Sequence, residues 1–181
     1  GDDVISRAVI EKSLPKLKVI SKYGIGLDKV DVPYATERSI PVTFCPGVNH
    51  TTVAEHTFAL LLGAARNLAL LDGRARDGVW DQDTPGTDLR GRQLGLIGFG
   101  GIAKKVLAMA QGFGMQVKVW TRSPENHLGQ YGADLFADME TLLQTSDFIS
   151  LHLPLNENTH EILGSDEIAK LKVGATLINT A

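Results

Sequence analysis

The sequence predicts an α/β chain organised around a doubly wound parallel sheet. Three observations carry that expectation. Short apolar runs alternate with stretches whose apolar residues recur at a period of about 3.6, glycine-rich turns separate the two kinds, and no internal repeat interrupts the alternation. The composition, 43% hydrophobic and 22% charged over 181 residues, is that of an ordinary globular chain able to bury one core and part of a second.

Taken in order, Lys18 to Ser21 reads as a short buried strand, broken by the tight loop Gly24-Ile25-Gly26. A short helix from Val32 to Glu37 and a strand from Ile40 to Phe44 follow, and Pro46-Gly47 closes this block. Thr52-Val53-Ala54-Glu55 fits a capping box, so a long helix is expected to start at Thr52. Ala54, Phe58, Leu61, Ala65 and Leu68 make one apolar stripe along it, and Val53, Leu60, Ala64 and Leu71 a second. A helix apolar on two sides needs two partners. Asp72 to Arg90, rich in Asp, Gly and Arg, reads as its exit and a loop.

From Gln93 the pattern is strand (Gln93 to Ile97), helix (Ile102 to about Gln111) and strand (Gln116 to Thr121). Ile102, Ala103, Val106, Leu107 and Ala110 share one helix face, with Lys104 and Lys105 turned away. A short helix at Met139 to Gln144, a buried strand at Phe148 to Leu153, a helix at Ser165 to Leu171, Gly174 as its C′ residue and a strand at Ala175 to Asn179 complete the series.

Several function classes are disfavoured. A net charge of −3 offers no broad basic surface for a nucleic acid. The longest apolar stretch, Phe58 to Ala65, is broken by Arg66 and falls far short of the roughly 20 residues needed to span a bilayer. With one cysteine, Cys45, there is no intrachain disulfide and no thiolate metal cluster, and the expected compartment is the cytoplasm. Cys45 reads as a structural residue at a strand end rather than a nucleophile. His50, His56, His127 and His160 lack metal-ligand spacing and an acidic partner, so no role is assigned to them. The chain lacks an initiator Met and stops inside the apolar run Leu177-Ile178-Asn179-Thr180-Ala181, which reads as an excerpt of something longer.

The chemistry sits in Leu94-Gly95-Leu96-Ile97-Gly98-Phe99-Gly100-Gly101-Ile102-Ala103. Gly98 permits a tight turn, Gly100 lets a pyrophosphate approach the backbone, Ala103 keeps helix and strand close, and the N–H groups of Gly101 and Ile102 face the phosphates at the positive helix end. Placed between a strand and a helix, this is the fingerprint of a Rossmann-type dinucleotide site. An NAD site normally adds an acidic residue about 20 positions on. None lies between Gly98 and Pro124, and the second strand ends in Trp120-Thr121-Arg122-Ser123. Arg122 can pair with a 2′-phosphate, and Thr121 and Ser123 can donate to it. NADP(H) is therefore favoured, NAD(H) without the acidic contact being the alternative. His152 and Pro154, at the ligand edge of the sheet, border the adenine, or His152 is a packed core histidine.

These motifs together resemble the D-isomer-specific 2-hydroxyacid dehydrogenases, a family that includes phosphoglycerate dehydrogenase and glyoxylate/hydroxypyruvate reductase. The resemblance runs nearly end to end, through Leu17 to Asp28, Val53-Ala54-Glu55-His56, the glycine loop, Leu151-His152-Leu153-Pro154 and Leu177 to Ala181. It implies that residues 1–47 are the tail of a flavodoxin-like substrate domain and that 48–181 are a dinucleotide-binding domain incomplete at its end. It implies that the helix at about 52–76 crosses between domains and supports a homodimer. The backbone of Tyr23, Gly24, Ile25 and Gly26 would bind the substrate carboxylate, and Asn179, Thr180 and Ala181 would lie beside the nicotinamide and its ribose. The family's catalytic Arg, acid and His would follow Ala181, so no residue here is given a catalytic role. The implied substrate is a small 2-oxo or D-2-hydroxy acid of glyoxylate, hydroxypyruvate or phosphoglycerate type. A dinucleotide-sensing corepressor on the same fold is the alternative from another class.

Overall fold

The computed structural model describes residues 3–181. They divide into two compact units, the described residues up to Asn49 and then His50–Ala181.

In the first unit, α1 (Arg7–Ser13), β1 (Ile20–Ser21), α2 (Val32–Glu37) and β2 (Val42–Thr43) bury Ile10, Ile20, Val30, Tyr34, Ala35 and Ile40. The two strands are parallel, with Ile20 opposite Val42. Both are shorter than the expected 18–21 and 40–44, because pairing is confined to two rungs. The first residue of α2 follows Asp31, whose carboxylate accepts from Tyr34 N at 3.0 Å, a cap that stops the helix fraying. No expectation covered α1; its single buried residue, Ile10, leaves too little periodicity to read.

The second unit is a four-stranded parallel sheet ordered β4-β3-β5-β6, formed by β3 (Gln93–Ile97), β4 (Gln116–Trp120), β5 (Phe148–Leu151) and β6 (Thr176–Asn179). Gly95 pairs with Lys118 on one side and Ile149 on the other, and Ile149 with Leu177. A Cβ at Gly95 would lie 2.6 Å from Leu142 and from Ser146, so only glycine lets α7 (Met139–Thr145) pack this close to β3. On one face α3 (His50–Ala65) and α5 (Gly101–Gly112) bury Ala54, Phe58 and Leu61 with Ala103, Val106, Leu107 and Ala110. On the other, Ile97 and Ile149 pack with Leu142 and Leu143 of α7. Helices on both faces of a parallel sheet make this the doubly wound, Rossmann-type fold expected from the sequence.

In this second unit four element boundaries differ from expectation by more than one residue. Helix α3 starts at His50, which places Thr52 and Glu55 inside the helix, so the capping box does not form. It ends at Ala65. Asn67 then adopts the left-handed conformation (φ 52°) with its side-chain amide donating to Pro85 O at 2.8 Å, and α4 (Leu68–Arg76) restarts in a new direction, extending into the segment expected to be loop. The strand expected to reach Leu153 ends at Leu151, although His152 N still donates to Ile97 O at 2.8 Å. Finally α8 (Ser165–Ala169) closes through the short bonds Lys170 N to Glu167 O and Leu171 N to Ile168 O, so Gly174 (φ 81°) serves the turn into β6 rather than a helix end.

Between β4 and α7 the chain forms short 3-10 turns at Pro124–Asn126 and Ala133–Leu135 around α6 (Leu128–Tyr131). A single parallel bridge, Val119 to Phe136, stands where a further strand would pair. No helix among the described residues is long and apolar enough to cross a membrane.

Candidate functional site

The parallel sheet delivers the ends of all four strands to one edge, where the turns carry the chemistry. Gly98 leaves β3 at φ 96°, with its N–H on Trp120 O at 2.8 Å. A Cβ there would lie 2.5 Å from the carbonyl oxygen of His152 and 2.8 Å from Leu153, so glycine is required by both conformation and space. Gly100 is extended (φ −81°, ψ −168°) and caps α5, and nothing lies within 4 Å of where its Cβ would be. Among the described residues the N–H groups of Gly101 and Ile102 meet no acceptor, while Lys104 N bonds to Gly100 O. Unpaired donors at a helix start, beside open space, suit an anion.

Phe99 fixes the far side of this loop. Its ring, 5% exposed, stands edge-on to His127 and Tyr131 at 5.0 Å and to Phe136 at 5.6 Å, with Lys104 Nζ 5.6 Å from its centroid.

Past β4, Thr121 lines a cleft of about 320 Å³ with Trp120, Pro124, Phe136, Ala137 and Asp138. Arg122 is exposed and has no ion pair among the described residues, and Ser123 precedes the first 3-10 turn. Asp138 lies too far along the chain to stand as an acid about 20 residues past the loop, and the fold brings it here from the far side of the 3-10 turns. Both of its oxygens are engaged by Thr141, from N at 2.8 Å and from Oγ1 at 2.7 Å. Those bonds, the backbone one first, hold its carboxyl below the usual range, so it stays ionised as the cap of α7.

His152 Nε2 is buried without a partner. Desolvation pushes the imidazole down to about 4, and the ring is neutral at physiological pH. Pro154 is exposed, and its carbonyl accepts from Thr159 Oγ1. An unfolded chain takes up this proton near pH 6.5 and the folded chain only near 4, so stability is expected to fall by roughly 3 kcal/mol as pH drops between those values, then level off. Melting temperature against pH should be steeper in the parent than in His152→Gln; equal slopes would show that burial does not hold the ring neutral.

At the end of β6, Ala181 N donates to Asn179 Oδ1 at 3.0 Å, and Thr180 Oγ1 lies 3.1 Å from Thr57 Oγ1. Thr57 spends its proton on Val53 O at 2.9 Å, which makes Thr180 the donor of the pair. Asn179 and Thr180 share a cleft of about 410 Å³ with Thr52, Val53 and His56 of α3. The sequence reading assigned no site role to those α3 residues. The sequence assigns no role to His50 either, and its ring lies over Gly101. No group of His, Cys, Asp and Glu that could hold a metal ion occurs among the described residues.

The Tyr23–Gly26 loop lies in the first unit. Tyr23 is 93% exposed, Gly24 has φ 145°, and Gly24 O accepts from Cys45 N at 2.9 Å. The Cys45 thiol is half-buried and points at Lys22 O, 3.9 Å away.

Comparison with known proteins gives one consistent result. The family model described as D-isomer specific 2-hydroxyacid dehydrogenase, NAD binding domain, matches residues 58–181. A glyoxylate reductase of Thermococcus litoralis is 40% identical, over 99% of this chain and 56% of that protein. The D-lactate dehydrogenase of Aquifex aeolicus complexed with NAD and lactic acid superposes with a TM-score of 0.87 at 32% identity, covering 98% of this chain and 53% of that one. An acyclic imino acid reductase in complex with NADPH and D-Arg superposes with a TM-score of 0.86 at 33% identity, covering 97% of this chain and 56% of that one. The chain spans about half the length of the curated relatives it matches.

Proposed function

Because the chain belongs to the D-isomer-specific 2-hydroxyacid dehydrogenase family, we propose that it is the dinucleotide-holding half of an oxidoreductase acting on a small 2-oxo acid or D-2-hydroxy acid. The glycine loop carries this reading. The N–H groups of Gly101 and Ile102, without an acceptor among the described residues, and the open space over Gly100 suit a diphosphate. When bound, the nicotinamide supplies or accepts the hydride. Around it Asn179, Thr180 and the α3 residues Thr52, Val53 and His56 wall the nicotinamide side, and His152 and Pro154 the adenine side.

NADP(H) is the preferred form in this reading. Arg122, exposed and without an ion pair among the described residues, stands just past β4, and the nearby Asp138 is turned into its helix cap. Residues 1–47 are the tail of the substrate domain, with the N–H groups of Tyr23 to Gly26 offered to the substrate carboxylate, and 48–181 the cofactor domain. No residue of this chain is given the proton-transfer role. The exposed Leu60, Leu68 and Leu70 of α3 and α4 support a homodimer through these helices, and the lone Cys45 a cytoplasmic setting.

The test is a titration of the chain with NADPH and NADH, followed by melting temperature and by heat of binding. A ligand that binds the folded state raises the melting temperature once it exceeds its dissociation constant. Both dinucleotides should do so, NADPH at lower concentration. A chain that responds to neither would end this reading.

A further inference from the structure

We infer that His50 is a positioning residue for the diphosphate, its ring reaching across from the first turn of α3 into a space that a glycine at position 101 leaves open. The inference rests on the dinucleotide reading above. A Cβ built on Gly101 would fall against the edge of the His50 ring, nearest Cε1 and Nδ1, with Nε2 at 3.1 Å. The ring and the first residue of α5 therefore compete for the same volume. Gly101 has φ in the ordinary helical range and lies on the first turn of a helix, where almost any side chain is tolerated, so its backbone conformation does not call for glycine. Space for His50 does.

Among the described residues the imidazole has no hydrogen-bond partner, although it is half-buried. Beside it are the unpaired N–H groups of Gly101 and Ile102. His50 is also the first residue of α3, so two helix starts converge with an imidazole between them. Such a convergence of unmet donors matches a doubly charged, oxygen-rich ligand and nothing apolar. Two residues further along α3, Thr52 and Val53 open the cleft shared with Asn179 and Thr180. His50 thus stands between the diphosphate and the nicotinamide side, where one N–H to a diphosphate oxygen would fix the bend of the dinucleotide.

Four variants test this: His50→Phe, which keeps a flat ring and removes the donor; His50→Gln, which keeps a donor; Gly101→Ala; and the double variant His50→Phe with Gly101→Ala. Dissociation constants are measured for NADPH, for ADP-ribose, which has the diphosphate, and for adenosine 2′-monophosphate, which does not. His50→Phe is expected to weaken NADPH and ADP-ribose about tenfold and adenosine 2′-monophosphate less than about twofold, the scale of one charge-assisted hydrogen bond. His50→Gln should retain most of the affinity. Gly101→Ala should weaken the parent similarly and add little in the His50→Phe background, because both changes remove the same interaction. Melting without ligand shows whether each variant folds, and the glutamine variant still decides the matter if phenylalanine does not. Parent-like NADPH affinity in His50→Phe would overturn the inference and leave the family reading intact. So would a parallel loss of adenosine 2′-monophosphate, or a Gly101→Ala effect of full size in both backgrounds. No dinucleotide binding by the parent would remove both readings.

Discussion

Gly98→Ala is expected to destabilise the chain by about 3 kcal/mol or more and to weaken dinucleotide binding by at least about 100-fold. Two costs combine. A residue with a Cβ is strained at φ 96°, by about 1–3 kcal/mol, and the new carbon would meet the backbone carbonyl of His152 at 2.5 Å. The two segments are tied closely together at this point, His152 N being held on Ile97 O and Gly98 N on Trp120 O, both at 2.8 Å. The end of β5 would have to shift, and with it the loop. Chemical denaturation and a binding titration check both numbers. Two companion variants separate folding from binding. Gly63→Ala, in the last turn of α3 with nothing within 4 Å of the added carbon, should be neutral or stabilising by up to about 1 kcal/mol. Gly100→Ala also meets nothing, so the chain should fold normally and lose the cofactor alone. Normal binding in Gly100→Ala would place the diphosphate elsewhere.

Arg122→Ala is expected to raise the NADPH dissociation constant by about 10- to 100-fold and to change that of NADH by less than about twofold. An exposed arginine with no partner among the described residues has nothing structural to lose there, so its removal should leave the melting temperature within about a degree. On the NADP(H) reading, what it would lose is a paired contact to a phosphate carrying up to two charges, worth about 1.5–3 kcal/mol. The comparison of the two dinucleotides isolates that contact, since they differ only at the 2′ position. Tighter NADH binding by the parent, or equal NADPH binding by the variant, would reverse the assignment of Thr121-Arg122-Ser123.

What the sequence shows of this molecule follows from how local each feature is. Strand β3, helix α5 and strand β4 are legible to within a residue, because their apolar positions follow one period each and Gly98 and Gly114 punctuate them. The bend after Ala65 is less so. Asn67 is a residue that tolerates the left-handed region, but only the carbonyl of Pro85, 18 positions away, makes the bend pay. The site divides the same way. The glycine loop is contiguous and readable. His50 over Gly101, Thr57 beside Thr180 at a separation of 123 residues, and Asp138 in the cleft of Thr121 depend on which elements the sheet order brings together. Four histidines without metal spacing looked idle. Three of them, His50, His56 and His127, surround the loop and the cleft beside it, because the ends of α3 and β4 reach the same edge.

Phe99 gives the glycine loop a thermodynamic character that its composition does not suggest. Three glycines in four residues would ordinarily wander, and a ligand would have to freeze them at a cost of about 1–2 kcal/mol for each residue fixed. Here the one side chain in the run is clamped edge-on among His127, Tyr131 and Phe136, so that freedom is surrendered during folding. The dinucleotide would arrive at a cradle already set, and its affinity would carry little entropic penalty from the loop.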